Sequence, residues 1–262
     1  MRESTDAEPS GITTLDRVRI VLVEPEFAGN IGATARAMQT MGLSQLYLVK
    51  PVCDPRAEEA FWLATSAAHI LEQATVVDSL EQALADTVFS VGTTRRERRL
   101  AYPIYTPEQT ATLVLERSAS QPTAIVFGRE SKGLSNPELA MCSVQSTIPT
   151  RSELHSLNLG QSVMLYCYAL YQASLQPIER EYSWSLATHT QFEQFYQKLG
   201  EALEKKGFRP TSTMENYVAR FRRVLGRVPL EPRDLNMLHK LVSRVEVGGA
   251  DLLPPEEATG AS

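Results

Sequence analysis

Residues 17–42 read RVRIVLVEPEFAGNIGATARAMQTMG, and this stretch decides the fold. Its first seven residues form a β-branched apolar run, as expected of a buried strand. EPEFAGN is a loop. Beyond it Ala33, Ala37 and Met41 fall four apart, which marks a helix face, and Gly42 is suited to stop that helix. Asn30 is placed to cap its start.

Working outward, the same alternation continues. Strands are expected at 45–49, 74–78, 87–92, 123–128 and 144–149. Helices are expected at 57–65, after Ser79 with Gln82 in a capping-box spacing, near 107–116, after Asn136 as N-cap with Pro137 in the first turn, and along the apolar stretch 156–175. Such alternation over 17–175 predicts an α/β domain with a mainly parallel sheet. From there the pattern changes. A polar linker, 176–188, leads to purely helical periodicity over 189–247, read as a small helical C-terminal domain. The polar segments 1–16 and 248–262 read as disordered tails.

Composition narrows the function. With 43% apolar and 22% charged residues the chain is globular rather than disordered. No apolar run approaches the ~20 residues that span a bilayer, so no membrane association is expected. Cys53, Cys142 and Cys167 lie far apart without a CxxC, and the four histidines form no HxxxH. These features argue against a disulfide framework or a metal centre and suit a cytoplasmic protein. The net charge of −5 is unevenly distributed: the two tails are acidic, whereas 198–245 holds eleven Lys/Arg against five Asp/Glu. Local patches therefore matter more than the total.

Three predicted strand ends carry glycine or small polar residues: Gly92–Thr93–Thr94, Gly128–Arg129–Glu130, and Ile148 through Ser156, Leu157 and Asn158. In α/β sheets ligands sit at the carboxyl ends of strands, and loops free of bulk let backbone groups reach them. Tight turns alone explain the glycines equally well on spacing. Neither G-x-G-x-x-G after the first strand nor a P-loop occurs, which leaves a Rossmann dinucleotide or nucleoside triphosphate site unsupported. Two arginine clusters remain: Arg95, Arg96, Arg98 and Arg99 beside the glycine turns, and Arg220, Arg222, Arg223 and Arg227 on one C-terminal helix beside Tyr217 and Phe221. Both suit phosphate contacts, and a solvated surface is the plain alternative.

Together, N-x-G-x-x-x-R from Asn30 to Arg36, F-G-R-E-x-x-G-L-S-N from Phe127 to Asn136, and S-L-N from Ser156 to Asn158 resemble the ordered motifs of the SPOUT superfamily, SpoU branch. Within it the chain is most similar to the tRNA (cytidine/uridine-2'-O-)methyltransferase J type, over 17–175 and more weakly over 217–242. The resemblance implies a SPOUT fold with a C-terminal trefoil knot, S-adenosylmethionine as cofactor, tRNA as substrate, a homodimer and no metal. It implies cofactor contacts at Thr93, Thr94, Arg95, Gly128, Ile148, Ser156 and Leu157, and catalytic positions at Arg36, Glu130, Ser156 and Asn158. RNA contacts are expected from Asn30, Arg36, Arg96, Arg98 and Arg99, and from Arg220, Arg222, Arg223 and Arg227. The implied reaction is methylation of the ribose 2'-hydroxyl of C or U at nucleotide thirty-two, with rRNA or another tRNA position as the alternative. The sequence departs from the family pattern at Glu26–Phe27–Ala28, commonly Ser-His-Pro, and at Arg95, commonly alanine.

Overall fold

The computed structural model describes residues 14–95, 103–119, 121–151, 157–175 and 184–247. Chain order begins with β1 (Val18–Val23), α1 (Ala28–Thr40), β2 (Gln45–Val49), α2 (Glu58–Ala64), α3 (Ala68–Glu72), β3 (Thr75–Val77) and α4 (Leu80–Leu84). It continues with β4 (Phe89–Thr93), β5 (Ile104–Tyr105), α5 (Pro107–Ser118), β6 (Thr123–Phe127), α6 (Asn136–Met141), β7 (Val144–Ser146) and α7 (Leu159–Ser174). Three further helices close the described chain: α8 (His189–Lys205), α9 (Met214–Leu225) and α10 (Pro232–Val247).

The strands form one sheet in the order β3-β2-β1-β6-β4-β7-β5. Every pairing is parallel, so all strands point their carboxyl ends to one edge. β1 is buried at all six positions because it lies between β2 and β6 with helices on both faces. That is why, Arg19 apart, it reads as a continuous apolar run rather than an alternating one. Ile20 and Leu22 face a core with Ile31, Met38, Val163 and Tyr166 from α1 and α7. Val21 and Val23 face a smaller core with Leu84 and Leu139 from α4 and α6.

Two caps differ from expectation. Phe27, not Asn30, is the N-cap of α1, and it makes no side-chain cap bond. Asn30 sits inside the first turn, where its amide is drawn to a partner far away in sequence. Ser135, not Asn136, caps α6 and forms a full capping box with Glu138, which shifts Asn136 and Pro137 one position inward. β5 and α3 are too short to show a period in the sequence and were not expected.

The one charge within β1 is paired. Arg19 is buried beside Tyr47 and forks onto Asp86, at 2.5 and 2.6 Å, with a further bond to the Ala83 carbonyl. The Arg19 hydrogen bond holds the Asp86 carboxyl below its ordinary range, against the opposing effect of burial. A carboxylate with a depressed folded pKa contributes stability above its unfolded value, near ~3.9, and loses it as pH falls through the folded value. Asp86→Asn is therefore expected to destabilise the protein at neutral pH by about 1–3 kcal/mol, because a buried guanidinium loses its counter-charge and one of its two carboxylate acceptors. Urea unfolding at a series of pH values should show the gap to wild type closing as pH drops through the acid range.

The C-terminal helices gather their own apolar cluster, including Phe195, Tyr196, Leu199, Val218, Leu235 and Val242. They dock at the amino-terminal edge of the sheet. The His189 N–H donates to the Thr87 carbonyl at 2.7 Å, and Thr190 donates twice to the Ala85 carbonyl. The Gln121 amide clasps Leu186 at both its N–H and its carbonyl. Leu186 and Ala187 are buried, so the end of the expected polar linker is part of this contact.

Candidate active site

The carboxyl ends of β4, β6 and β7 converge on a cleft of about 200 Å³. Its walls include Thr93, Thr94, Arg95, Gly128, Glu130, Ile148 and Leu157, seven of the residues expected at the site. Ser156, Arg96, Arg98 and Arg99 lie outside the described residues.

Backbone geometry shapes the cleft. A Cβ on Gly128 would stand 2.1 Å from the Gly133 carbonyl carbon and 2.2 Å from the Leu134 nitrogen. Only glycine lets these strands of loop approach so closely. Gly133 returns the loop with φ +67°, and an isolated bridge joins it to Arg129. Arg129 then locks the turn, bonding Glu24 at 2.8 Å and Glu138 at 2.9 Å. Its hydrogen bond holds the Glu24 carboxyl below the usual range. Burial is the strongest influence on Glu138 and works to raise it, but the bonds from Arg129 and from Ser135, with the Arg129 charge, together hold it below the usual range. The guanidinium itself is pushed further up by both partners. Arg129 is thus a fixed brace for the loop.

Thr93 donates its hydroxyl to the Val126 carbonyl at 2.9 Å, and the Thr94 N–H donates to the Ser146 carbonyl. The end of β4 is thereby tied to both neighbours. Below the cleft, Ser146 Oγ accepts from Tyr166 at 2.7 Å and Thr110 at 2.8 Å, and donates to the Tyr105 carbonyl. Tyr166 packs edge-on to Phe127, with centroids 5.4 Å apart. Burial drives its hydroxyl well above the ordinary phenol range, so it serves as a fixed donor. Sequence reading missed this buried polar hub. Its members come from four elements, and no local pattern links them.

A second chain of bonds runs along the rim. Asn158 donates to the Asn30 side-chain oxygen at 2.8 Å, and Asn30 donates to Glu130 at 2.8 Å. Glu130 also accepts from the Glu26 N–H, while Glu26 accepts from both the N–H and the hydroxyl of Ser131. Asn158 Oδ1 caps α7 through the N–H groups of Gly160 and Gln161. Three expected residues, Asn30, Glu130 and Asn158, are therefore one connected unit, and its geometry orients every amide. Glu26 and Ser131 lock the two loops together; Ser131 was not singled out in the sequence, and Glu26 only as part of a departure from the family pattern.

Arg36 lies on α1, six residues beyond Asn30, and is exposed. Among the described residues its guanidinium has no hydrogen-bond or ion-pair partner. In the second cluster Arg220 and Arg227 are exposed. Arg223 is half-buried, and its carbonyl accepts from Arg227 Nε. Arg222 does not belong with the outward arginines. It turns inward to pair with Glu193 and lies over the Tyr196 ring, 4.7 Å from its centroid. In the free chain its guanidinium is thus engaged within the helices.

Among the described residues no cluster of potential metal ligands occurs, and no helix is long and apolar enough to cross a membrane. A tRNA (cytidine/uridine-2'-O-)-methyltransferase TrmJ from Pectobacterium atrosepticum is 39% identical over 238 residues, covering 88% of this chain and 98% of that protein. The crystal structure of TrmJ from Z. mobilis superposes with a TM-score of 0.75 at 31% identity, covering 87% of this chain and 98% of the other. A probable methylase family protein from Haemophilus influenzae gives 0.59 at 35% identity, covering 89% and 97%. Residues 17–168, which take in the whole sheet and the cleft above it, match the SpoU rRNA Methylase family, and the chain belongs to that family.

Proposed function

We propose that this chain transfers a methyl group from S-adenosylmethionine to the ribose 2'-hydroxyl of C or U at nucleotide thirty-two in the tRNA anticodon loop. The observation that carries the reading is the hydrogen-bonded unit Asn30–Glu130–Asn158 at the rim of a glycine-walled cleft. The Pectobacterium relative, named as a tRNA methyltransferase, supports tRNA as the substrate.

The cleft suits the cofactor. Gly128 lets the 128–134 loop fold tightly on itself at the cleft wall, and residues 93–95 and 146–148 line the opposite walls, where a nucleoside would sit. Bound there, S-adenosylmethionine supplies an activated methyl group on a sulfonium. What the chain must add is in-line placement and help with the hydroxyl proton. Arg36 has five donors and no acceptor, so it stabilises the developing alkoxide and holds the adjacent phosphate. The proton leaves to a phosphate oxygen or water. Asn158 and Ser156 orient the ribose and the loop at the start of α7, and Glu130 fixes Asn30 against them.

The fold reading extends to a trefoil knot formed where the loops after β6 and β7 wrap this cleft, and to a cytoplasmic homodimer. Leu165, Tyr168, Tyr171 and Leu175 support the dimer, since they leave an exposed apolar stripe at helical spacing on α7. Transfer of labelled methyl from S-adenosylmethionine to unmodified tRNA tests the activity.

The C-terminal helices hold the tRNA body through phosphates in this reading. Arg220→Glu with Arg227→Glu is expected to weaken tRNA binding and flatten its salt dependence, leaving cofactor affinity intact. Filter binding across a salt series reads both. Unchanged affinity would show that these helices serve only in packing.

A further inference from the structure

Phe27 stands out because it is unfavourable where it is. It is the N-cap of α1, a position where Ser, Thr, Asp or Asn typically contributes a bond to the helix end. Here an aromatic ring makes no cap bond and remains 60% exposed. A large exposed apolar group in place of a capping side chain is a local rule broken twice, and such breaks concentrate at functional sites.

Its neighbours are the rim of the cleft. The preceding residue, Glu26, bonds Glu130 and Ser131, both in the cleft wall. The Phe27 carbonyl accepts from the Asn30 N–H at 3.1 Å, and the Asn30 amide joins Glu130 to Asn158. The ring is thus anchored at its backbone to the unit that orients the reacting ribose.

We propose that Phe27 is a stacking platform for the base of the target pyrimidine. The inference rests on the RNA methyl-transfer reading and names how that site holds its nucleotide. An unpaired base offers a free π face, and proteins that bind single-stranded loops stack such bases on aromatic side chains. A phenyl ring has no donor or acceptor, so it accepts cytosine and uracil alike. Contact with a second copy of the chain fits the position less well. The apolar stripe on α7 starts at Leu165, six residues past the helix's first residue, and runs away from the cleft end, whereas Phe27 lies at that end.

The test compares Phe27→Ala, Phe27→Leu and Phe27→Tyr with wild type on an unmodified tRNA transcript. Filter binding, methylation kinetics and sedimentation are measured for each. Loss of the stack should weaken tRNA binding and raise its KM by about 5–100-fold, the range for one stacked base. Cofactor affinity and sedimentation stay as in wild type. Tyrosine restores most of the loss; leucine, apolar but without a π face, does not. Leucine matching tyrosine, an alanine variant that binds tRNA like wild type, or an alanine variant with altered sedimentation overturns the stack. A wild-type chain that binds tRNA but methylates none overturns the reaction instead, while the binding series still decides the platform.

Discussion

Arg36→Ala is expected to lower kcat about 100-fold or more with cofactor affinity unchanged, the usual cost of removing a donor aimed at charge that develops in the transition state. Arg36 is exposed on α1, under two turns from Asn30 of the Asn30–Glu130–Asn158 unit, and does not line the cleft. Its removal should therefore leave both the fold and the cofactor walls intact. Arg36→Lys should recover little, because an ammonium cannot reach two oxygens in the fixed fork of a guanidinium. Single-turnover methylation with saturating tRNA, alongside calorimetry with S-adenosylmethionine, separates the two quantities. A variant that loses cofactor binding would show that Arg36 acts on the cleft rather than on the hydroxyl.

Gly128→Ala should act in the opposite way. The added Cβ meets backbone at 2.1 Å, and no flexible side chain is available to yield. The 128–134 loop must open, and the Arg129 bonds to Glu24 and Glu138 must shift with it. The expected result is at least about tenfold weaker S-adenosylmethionine binding, equivalent to ~1.4 kcal/mol. Overpacking of this kind also costs about 1–3 kcal/mol of stability, so chemical unfolding should be measured in parallel. Normal cofactor affinity in a folded Gly128→Ala protein would place the cofactor elsewhere.

How far the sequence alone could be read depends on the range of the forces at work. β1 and α1 were legible because a strand buried on both faces and a helix with small residues four apart leave local patterns. Glu130 and Asn158 were legible as motif members, but their link through Asn30 was not. Asn30 looked like a cap because capping is local; in the fold it answers to a carboxylate 100 residues away. Arg222 read as one of four surface arginines until folding brought Glu193 beside it, 29 residues upstream. Ser146, Thr110 and Tyr166 are ordinary residues singly, and only the meeting of β7, α5 and α7 turns them into the floor of the site. What escaped the sequence is what depends on contacts between distant segments.

The most direct measurement is mass spectrometry of tRNA nucleosides and fragments from a strain lacking this chain, before and after its restoration. The expected result is loss of the 2'-O-methyl group from C or U at nucleotide thirty-two, its return with the wild-type chain, and no return with Arg36→Ala. An anticodon loop methylated normally in the deletion strain, with a methyl group missing from rRNA or from another tRNA position, would contradict it.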